Sequence, residues 1–291
     1  MGIDTLFGKK FPHVRTEKHF SFATHTTIGS GGYAALSVLP QNDLETAAVI
    51  AYLESQKIPF CFLGAGANIL PSDGFWEGAV IRFRSLRGIS VKENFIEADA
   101  GVSGGELLRV ARIHSLGGFE PFAGIPMTVG GGAAMNAGVK NTHFSDLVEW
   151  VEGVENGKIR RFNLRECDYS EKNSVFLQGI AITRVCLRGV KSERIAQTTA
   201  EYLAARKHLP KGRSMGCTFV NPEGKSAGEL IDRCGLKGRS VGKAYISTEH
   251  ANFIINEGTS SNDVSELIAI IKETVRRKTG ILLREEIRRI P

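Results

Sequence analysis

The sequence predicts an α+β fold, and three features of its order point that way. The first segment reads strand, helix, strand: an apolar run at Ala34–Leu39, helical apolar spacing over Leu44–Gln56, and a second strand at Pro59–Leu63. Several short strand-like runs then follow without intervening helices, at Ala79–Phe83, Gly88–Val91 and Phe95–Ala98. The chain closes on a long amphipathic helix over Ser261–Lys278. Elements mixed in this way suit an α+β lobe better than a doubly wound nucleotide fold, and the stretch GAGANIL is not a full G-x-G-x-x-G fingerprint.

Between these elements the pattern predicts a helix at Gly105–Leu116 and a domain change near Val190. Ser192–Lys207 reads as a helix and Pro210–Gly216 as a polar loop, after which a second α+β unit begins. In the closing helix Val264, Leu267, Ile268, Ile271 and Val275 fall on one face, which is core. Ser261 is the candidate N-cap, Asp263 sits in the first turn, and Gly280 follows the end. There is no internal repeat and no low-complexity linker.

The chain has 291 residues, of which 42% are apolar and 23% charged, ordinary values for a soluble protein with two or three small domains. No apolar run approaches the roughly 18 residues that span a bilayer. The N-terminal stretch MGIDTLFGKKFPHV lacks the apolar core and cleavage site of a secretory signal, so a cytoplasmic location is expected. The cysteines Cys61, Cys167, Cys186, Cys217 and Cys234 are scattered and form no C-x-x-C pair, which argues against a disulfide framework or a zinc site. The net charge of +6 suits an anionic ligand such as a nucleotide diphosphate, and charge alone also admits nucleic acid. The basic residues near the C-terminus (Arg276, Arg277, Lys278, Arg284, Arg288, Arg289) alternate with apolar ones and lack interleaved aromatics. They read as a solvated face, so no nucleic-acid or membrane partner is expected.

Glycines concentrate at Ile28–Gly32, Leu63–Gly66 and Gly124–Gly138, each beside an apolar strand-like run. Such clusters mark either tight turns or backbone that approaches a ligand closely, and their repetition favours a shared ligand.

The segments LGAGANIL (63–70), GFEPFAGIPMTVGGGAAMNAG (118–138), GCTFVNP (216–222), SAGELIDRCGLKG (226–238), STEHANFIIN (247–256) and LLREEIRRI (282–290) resemble, in order and spacing, the motifs of the FAD-dependent UDP-N-acetylenolpyruvoylglucosamine reductases, the MurB family. The resemblance runs from about Thr24 to the C-terminus, and the short chain is similar to the compact subtype. It implies a two-subdomain FAD-binding region like that of the vanillyl-alcohol-oxidase (PCMH) flavoproteins, followed by a MurB C-terminal substrate domain. In those terms residues 1–72 form the first subdomain, joined by the C-terminal strand 281–291. Residues 73–190 form the second subdomain and 191–280 the substrate-binding domain. The implied reaction is reduction of UDP-N-acetylglucosamine enolpyruvate by NADPH through FAD, a step of peptidoglycan synthesis and cell-wall biogenesis. The alternative is a FAD-binding relative of the same fold with a changed acceptor or lost activity.

A diphosphate needs exposed backbone N–H groups with no Cβ in the way. The residues expected to hold the cofactor are Leu63, Gly64, Gly66, Ala67, Asn68, Ile69, Gly101, Pro126, Thr128, Gly130, Gly131, Asn136 and Gly138. The alternative reading of Asn136 is an Asx-turn residue. Cys217 stands where family members carry the serine or cysteine that protonates C2, although an isolated cysteine is usually structural. Glu286 matches the family glutamate, and alternation sends its neighbour Glu285 to the opposite, solvated side. A glutamate beside an enolate needs a raised pKa to donate a hydrogen bond.

The family's Tyr-Arg-x-Ser element reads Glu171, Lys172, Asn173, Ser174 here, so lysine replaces the arginine and loses its two-pronged geometry. Lys172 is therefore either a catalytic cation or a plain surface lysine. Met127 stands where the family usually has glycine, Gly132 where it usually has alanine, Val220 for a usual lysine and Leu209 for a usual glutamine. Lys207, Asn221, His250 and Asn252 are the substrate-binding candidates, with Arg213, Lys225 and Lys237 as further partners for the UDP diphosphate. His250 is as readily a satisfied structural histidine. No metal is implied, and no long apolar stripe is left over, so a monomer is expected.

Overall fold

The computed structural model describes residues 2–139 and 141–291, and the chain divides into two compact units. The first comprises Met1–Lys18, Ala35–Ala65 and Glu77–Lys207; the second comprises His19–Ala34, Gly66–Trp76 and His208–Pro291. Each has its own buried apolar core.

The first unit is built on two sheets. A four-stranded sheet runs in the order Arg15–Ser21, Tyr33–Leu39, Phe75–Arg82, Phe60–Leu63, the last two strands parallel with Leu63 opposite Arg82. The crossover helix Asp43–Ser55 begins where Asn42 accepts the Glu45 N–H at 2.8 Å and the Glu45 carboxylate accepts the Gln41 N–H at 2.9 Å. Its Val49, Ile50 and Leu53 are fully buried. The second sheet has five antiparallel strands in the order Lys158–Asn163, Val148–Glu155, Ala181–Arg188, Phe95–Asp99, Ile89–Lys92. Alternate residues Val151, Val185, Leu187, Ile96 and Ala98 point into the core, as period-2 patterning requires. On the outer face Arg184 pairs with Asp99 at 2.9 Å.

The helix expected at Gly105–Leu116 runs instead from Gly104 to Ile113. Ser115 takes a left-handed φ of 54°, which turns the chain back, and Leu116–Gly117 then pairs with Val190–Lys191 as a short antiparallel ladder. The helix expected at Ser192–Lys207 occupies Ile195–Ala205.

The second unit packs the helices Ala227–Arg233 and Ser261–Thr279 with a three-stranded antiparallel sheet, Ser240–Val241, Ala244–Ile246 and Ile254–Asn256. The C-terminal strand Arg288–Ile290 lies parallel to Ile69–Pro71, with Arg288 opposite Ile69. Val264, Leu267, Ile268, Ile271 and Val275 of the long helix are all buried. At about 1.5–3 kcal/mol per buried aliphatic side chain, this face anchors the unit.

The cap of that helix corrects the sequence reading. Ser260, not Ser261, accepts the Asp263 N–H at 3.2 Å. Ser261 is the first helical residue, and its N–H donates to Asp73 Oδ1 at 2.9 Å, while Asn262 N–H donates to Asp73 Oδ2 at 3.0 Å. An aspartate remote in sequence thus satisfies the first-turn donors and opposes the helix dipole. At the other end Gly280 adopts φ 75° and donates to the Arg276 carbonyl at 2.8 Å. Among the described residues no helix is long and apolar enough to cross a membrane.

Candidate active site

Cys217 lies at the start of a buried extended segment, Cys217–Val220, in the second unit. That segment has neighbours on both sides. On one, Phe219 is bridged to Glu285, with Val220 N–H donating to the Arg284 carbonyl at 3.0 Å and Glu286 N–H to the Thr218 carbonyl at 2.8 Å. On the other, Cys217 is bridged to Phe253 and Thr218 N–H donates to the Asn252 carbonyl at 2.8 Å. The Asn252 side chain behaves like a further strand: its Oδ1 accepts Phe219 N–H at 2.9 Å and its Nδ2 donates to the Phe219 carbonyl at 2.8 Å. Asn252 is 3% exposed, and both ends of its amide are occupied in holding the Cys217 segment. The fold therefore brings Cys217 and Glu286 onto neighbouring stretches of one ladder. Thr218, which the sequence reading passed over, is 1% exposed and sits opposite Glu286; its hydroxyl has no hydrogen-bond partner among the described residues. Only the register of a ladder that forms across distant segments could have pointed to it.

Asn68 acts on the other edge of the Glu286 segment. Its Nδ2 donates to the Glu286 carbonyl at 3.1 Å, and its own carbonyl accepts Arg288 N–H at 2.9 Å. Glu285 departs from expectation. Rather than being solvated it is half-buried, with ion pairs to Lys272 at 3.0 Å and Arg289 at 2.9 Å. Burial on its own raises the Glu285 pKa, but the hydrogen bonds from Arg289 and Lys272 outweigh it and the net direction is down.

Lys172 belongs to the first unit. Ser170 and Asn173 exchange backbone hydrogen bonds of 3.1 and 3.2 Å, which makes Glu171 and Lys172 a two-residue turn with Lys172 at φ 57°. A left-handed lysine is uncommon and costs on the order of 1 kcal/mol or more, so the surroundings must impose it. Asn136 does so. It is 3% exposed, donates Nδ2 to the Ser170 carbonyl at 3.0 Å and accepts Ser145 N–H at 3.0 Å. Ser174 adds a second tie, donating to the Ala134 carbonyl at 2.6 Å.

The glycine clusters divide by what surrounds them. At Ile28–Gly32 a Cβ on Gly29 would meet the Arg213 side chain, one on Gly31 would meet Pro71, and one on Gly32 would run into the Gly74 carbonyl. That cluster serves close packing of protein on protein. The Gly124–Gly138 cluster supplies fewer free donors than expected, because Gly130 N–H donates to the Ala100 carbonyl at 3.0 Å and Gly131 N–H to Thr128 Oγ1 at 3.2 Å. A Cβ on Gly131 would approach that hydroxyl at 3.2 Å, and a Cβ on Gly64 would sit 2.8 Å from the same Thr128 oxygen. The stretch Ala65–Asn68 is different again. Among the described residues its consecutive N–H groups meet no protein acceptor, and Gly66 alone within it has a positive φ, 67°. Alternating φ signs with free amides make a concavity suited to an anion. These features fit a flavin diphosphate.

The other cofactor candidates are accounted for simply. Leu63 is buried at the end of its strand and Ile69 opens the next one. Gly101 packs on the Phe83–Leu86 turn, Pro126 is exposed, and Gly138 lies in a two-residue strand facing His143. Met127 keeps a negative φ and is buried, its side chain filling space that Gly104 and Gly132 leave open. The departures at 127 and 132 are thus one rearrangement of bulk.

Of the substrate candidates, Asn221 is exposed and caps the helix Ala227–Arg233 by accepting Ala227 N–H at 2.9 Å. His250 accepts Asn252 N–H at Nδ1, at 3.3 Å, which puts its proton on Nε2. Burial lowers its pKa, and His208 and Lys237 push the same way. Lys207 is exposed after the helix Ile195–Ala205. Arg213 donates to the Asn256 carbonyl at 3.0 Å, and Lys237 pairs with Asp232 at 2.7 Å. Burial pushes the Cys61 thiol up to about 12 and those of Cys167 and Cys186 up to about 11, so these three stay protonated near neutrality. No cluster of three or more metal-ligating side chains occurs among the described residues.

Comparison with known proteins adds the following. Residues 34–163 match the family described as FAD binding domain, and residues 207–290 match the family described as UDP-N-acetylenolpyruvoylglucosamine reductase, C-terminal domain. The chain is 38% identical over 271 residues to the UDP-N-acetylenolpyruvoylglucosamine reductase of Caldanaerobacter subterraneus, covering 91% of this chain and 90% of that one. The crystal structure of the corresponding reductase (MurB) from Thermus caldophilus superposes with a TM-score of 0.84 at 34% identity, covering 96% of this chain and all of the other. The fold alone is shared with a cholesterol oxidase from Brevibacterium sterolicum, at 16% identity and a TM-score of 0.51 over 62% of this chain and 38% of that one.

Proposed function

Because the chain belongs to the UDP-N-acetylenolpyruvoylglucosamine reductase family, we propose that it reduces UDP-N-acetylglucosamine enolpyruvate to UDP-N-acetylmuramate, with FAD as cofactor and NADPH as hydride donor. The observation that carries the reading is the ladder joining the Cys217 segment to Glu286 through the 2.8 Å bond from Glu286 N–H to the Thr218 carbonyl. The chemistry that a bound FAD would supply is hydride transfer, with NADPH as donor and C3 of the enolpyruvyl ether as acceptor. The residues must then hold the negative charge that develops at C2 and its carboxylate, and supply a proton to C2.

Cys217 is the proton donor in this reading, since its thiol S–H can deliver a proton and it stands where the family carries a serine or cysteine. Glu286 orients the developing enolate by a hydrogen bond, and Lys172 keeps the positive charge that the family's arginine provides to the carboxylate. The free amides of Ala65–Asn68 suit the FAD diphosphate, and Gly64, Thr128 and Gly131 are further cofactor-binding candidates from the family resemblance. Lys207, Asn221 and His250 are assigned to the UDP-sugar by the family resemblance, while Asn252 holds the Cys217 segment and Asn136 the Lys172 turn. Residues 1–72 with 281–291 and residues 73–190 make the FAD-binding subdomains, and 191–280 bind substrate. The protein works as a cytoplasmic monomer, without nucleic acid or membrane.

The test mixes FAD-loaded protein with NADPH and follows nicotinamide absorbance with and without UDP-N-acetylglucosamine enolpyruvate. Substrate-dependent oxidation is expected. A second reading, a changed acceptor, is favoured by Lys172 and Glu171 standing in place of the family's arginine and tyrosine. Flavin reduction by NADPH that does not respond to substrate would select it.

A further inference from the structure

We propose that Asn68 is a positioning residue for Glu286, through which the diphosphate loop and the segment carrying Glu286 act as one hydrogen-bonded piece. The proposal rests on the reading of Glu286 given above and goes beyond it by assigning what holds Glu286 in place.

Opposite Thr218, a regular antiparallel pair would have Glu286 exchange two backbone bonds with it. Only one forms, from Glu286 N–H to the Thr218 carbonyl at 2.8 Å. Thr218 N–H turns instead to the Asn252 carbonyl at 2.8 Å, so the Glu286 carbonyl loses its strand partner. The Asn68 side-chain amide takes that carbonyl at 3.1 Å. Two residues further along, Arg288 N–H donates to the Asn68 carbonyl at 2.9 Å, and the parallel pairing of Arg288–Ile290 with Ile69–Pro71 begins there. Asn68 therefore grips the main chain on both sides of Ile287, which is itself 5% exposed. With Thr218 behind and Asn68 in front, both backbone groups of Glu286 are fixed, and its Cα has little freedom to move.

The same residue ends the run of amides, Ala65–Asn68, that faces no protein acceptor among the described residues. A group that draws those amides toward itself acts on a loop whose last residue is bonded to Glu286. Sequence spacing suggested that Asn68 contacts the cofactor; the fold gives its side-chain donor to Glu286 instead. Aspartate has the shape of asparagine but no N–H to donate, and its charge would repel the Glu286 carbonyl. It is the sharpest substitution.

The experiment uses Asn68→Asp in the full chain, with Asn68→Ala as a second variant should the first fail to fold. Hydrogen exchange is measured without FAD, and the two half-reactions are measured by rapid mixing with FAD saturating. Exchange at the Glu286–Ile290 amides is expected to rise at least about tenfold over the parent while the Ser261–Thr279 helix is unchanged. Reoxidation by UDP-N-acetylglucosamine enolpyruvate is expected to slow by about 10- to 100-fold with a displaced pH profile, a larger loss than flavin reduction by NADPH shows. Unchanged exchange at Glu286–Ile290 overturns the proposal. So does a rate loss shared equally by both half-reactions, which would make Asn68 a cofactor-loop residue only. Glu286→Gln in the same assay separates the two claims: if it leaves reoxidation intact, the role of Glu286 fails, while the exchange result still judges Asn68.

Discussion

The sulfur of Met127 lies 3.1 Å from the point where a Cβ on Gly132 would stand, and the Met127 side chain also occupies the space beside Gly104. The family pattern has a small residue at the first position and a larger one at the second, so this chain has exchanged their bulk. The prediction is non-additivity. Gly132→Ala should cost about 1–3 kcal/mol through overpacking, partly offset by better helix propensity. Met127→Ala should cost about 2–5 kcal/mol through the cavity it leaves. The double variant should be more stable than the sum of the two by about 0.5–3 kcal/mol. Urea denaturation of the four proteins measures this, and an additive cycle would show that the two positions do not share one space.

How much of this was legible beforehand depends on the range of the interaction. The helix Ser261–Thr279 was readable because Val264, Leu267, Ile268, Ile271 and Val275 repeat at helical spacing and Gly280 stops it. Its start was readable only to within one residue, Ser260 rather than Ser261 being the cap, and Asp73, which takes the Ser261 amide, lies 188 positions away and gave no signal. The same holds at the site. Cys217 and Glu286 could be proposed from the residues around them, yet the means by which their segments are held could not. Asn252 reaches back 33 positions to Phe219, Asn136 forward 34 to Ser170, and Asn68 forward 218 to Glu286. An asparagine in a motif looks the same in sequence whether it meets a ligand or a distant main chain. Only folding decides which.

The Asn136 clamp predicts a coupling between stability and turnover. Asn136→Ala leaves the Ser145 N–H and the Ser170 carbonyl without this partner, which should cost about 1–3 kcal/mol. It also frees the turn that holds Lys172 at φ 57°. Reoxidation of reduced flavin by substrate should therefore fall in Asn136→Ala as it does in Lys172→Met, with reduction by NADPH spared in both. Lys172→Arg should preserve or raise the rate, since arginine keeps the charge and restores two-pronged donation. A large loss in Lys172→Arg would mean that the site is built around lysine.

His250 predicts a pH dependence of stability. Its folded pKa is depressed by burial below the ordinary value of 6.5, so the unfolded chain binds the proton more readily. Stability from this group is then fully present above about pH 6.5 and is lost as pH falls from there toward the folded pKa. His250→Asn keeps an acceptor near Nδ1 for the Asn252 N–H but does not titrate. The urea midpoint of the parent should therefore drop relative to His250→Asn between about pH 7.5 and 5.5. Parallel midpoints across that window would remove the neutral, buried histidine from the account.

Cys217 gives the most direct test of the chemistry. Hydride delivery and proton delivery are separable, because flavin reduction by NADPH requires no proton at C2 of the sugar substrate. Cys217→Ala should then reduce its flavin at a rate near that of the parent, while reoxidation by substrate slows by about 10²- to 10⁴-fold, the usual range for loss of a positioned acid. Cys217→Ser should fall between, since a hydroxyl donates from the same place but is a weaker acid than a thiol. Carrying out reoxidation in D₂O adds a further check: the solvent isotope effect of the parent should change when the donor does. The backbone around residue 217 is held by the Phe253 bridge and by the Asn252 bonds to Phe219, none of which uses the thiol. Urea denaturation of each variant belongs beside the kinetics: an unchanged midpoint separates a loss of reoxidation from collapse of the segment. If both half-reactions proceed normally in Cys217→Ala, the proton at C2 comes from another group, and Thr218, buried beside it with a hydroxyl that has no partner among the described residues, is the next to examine.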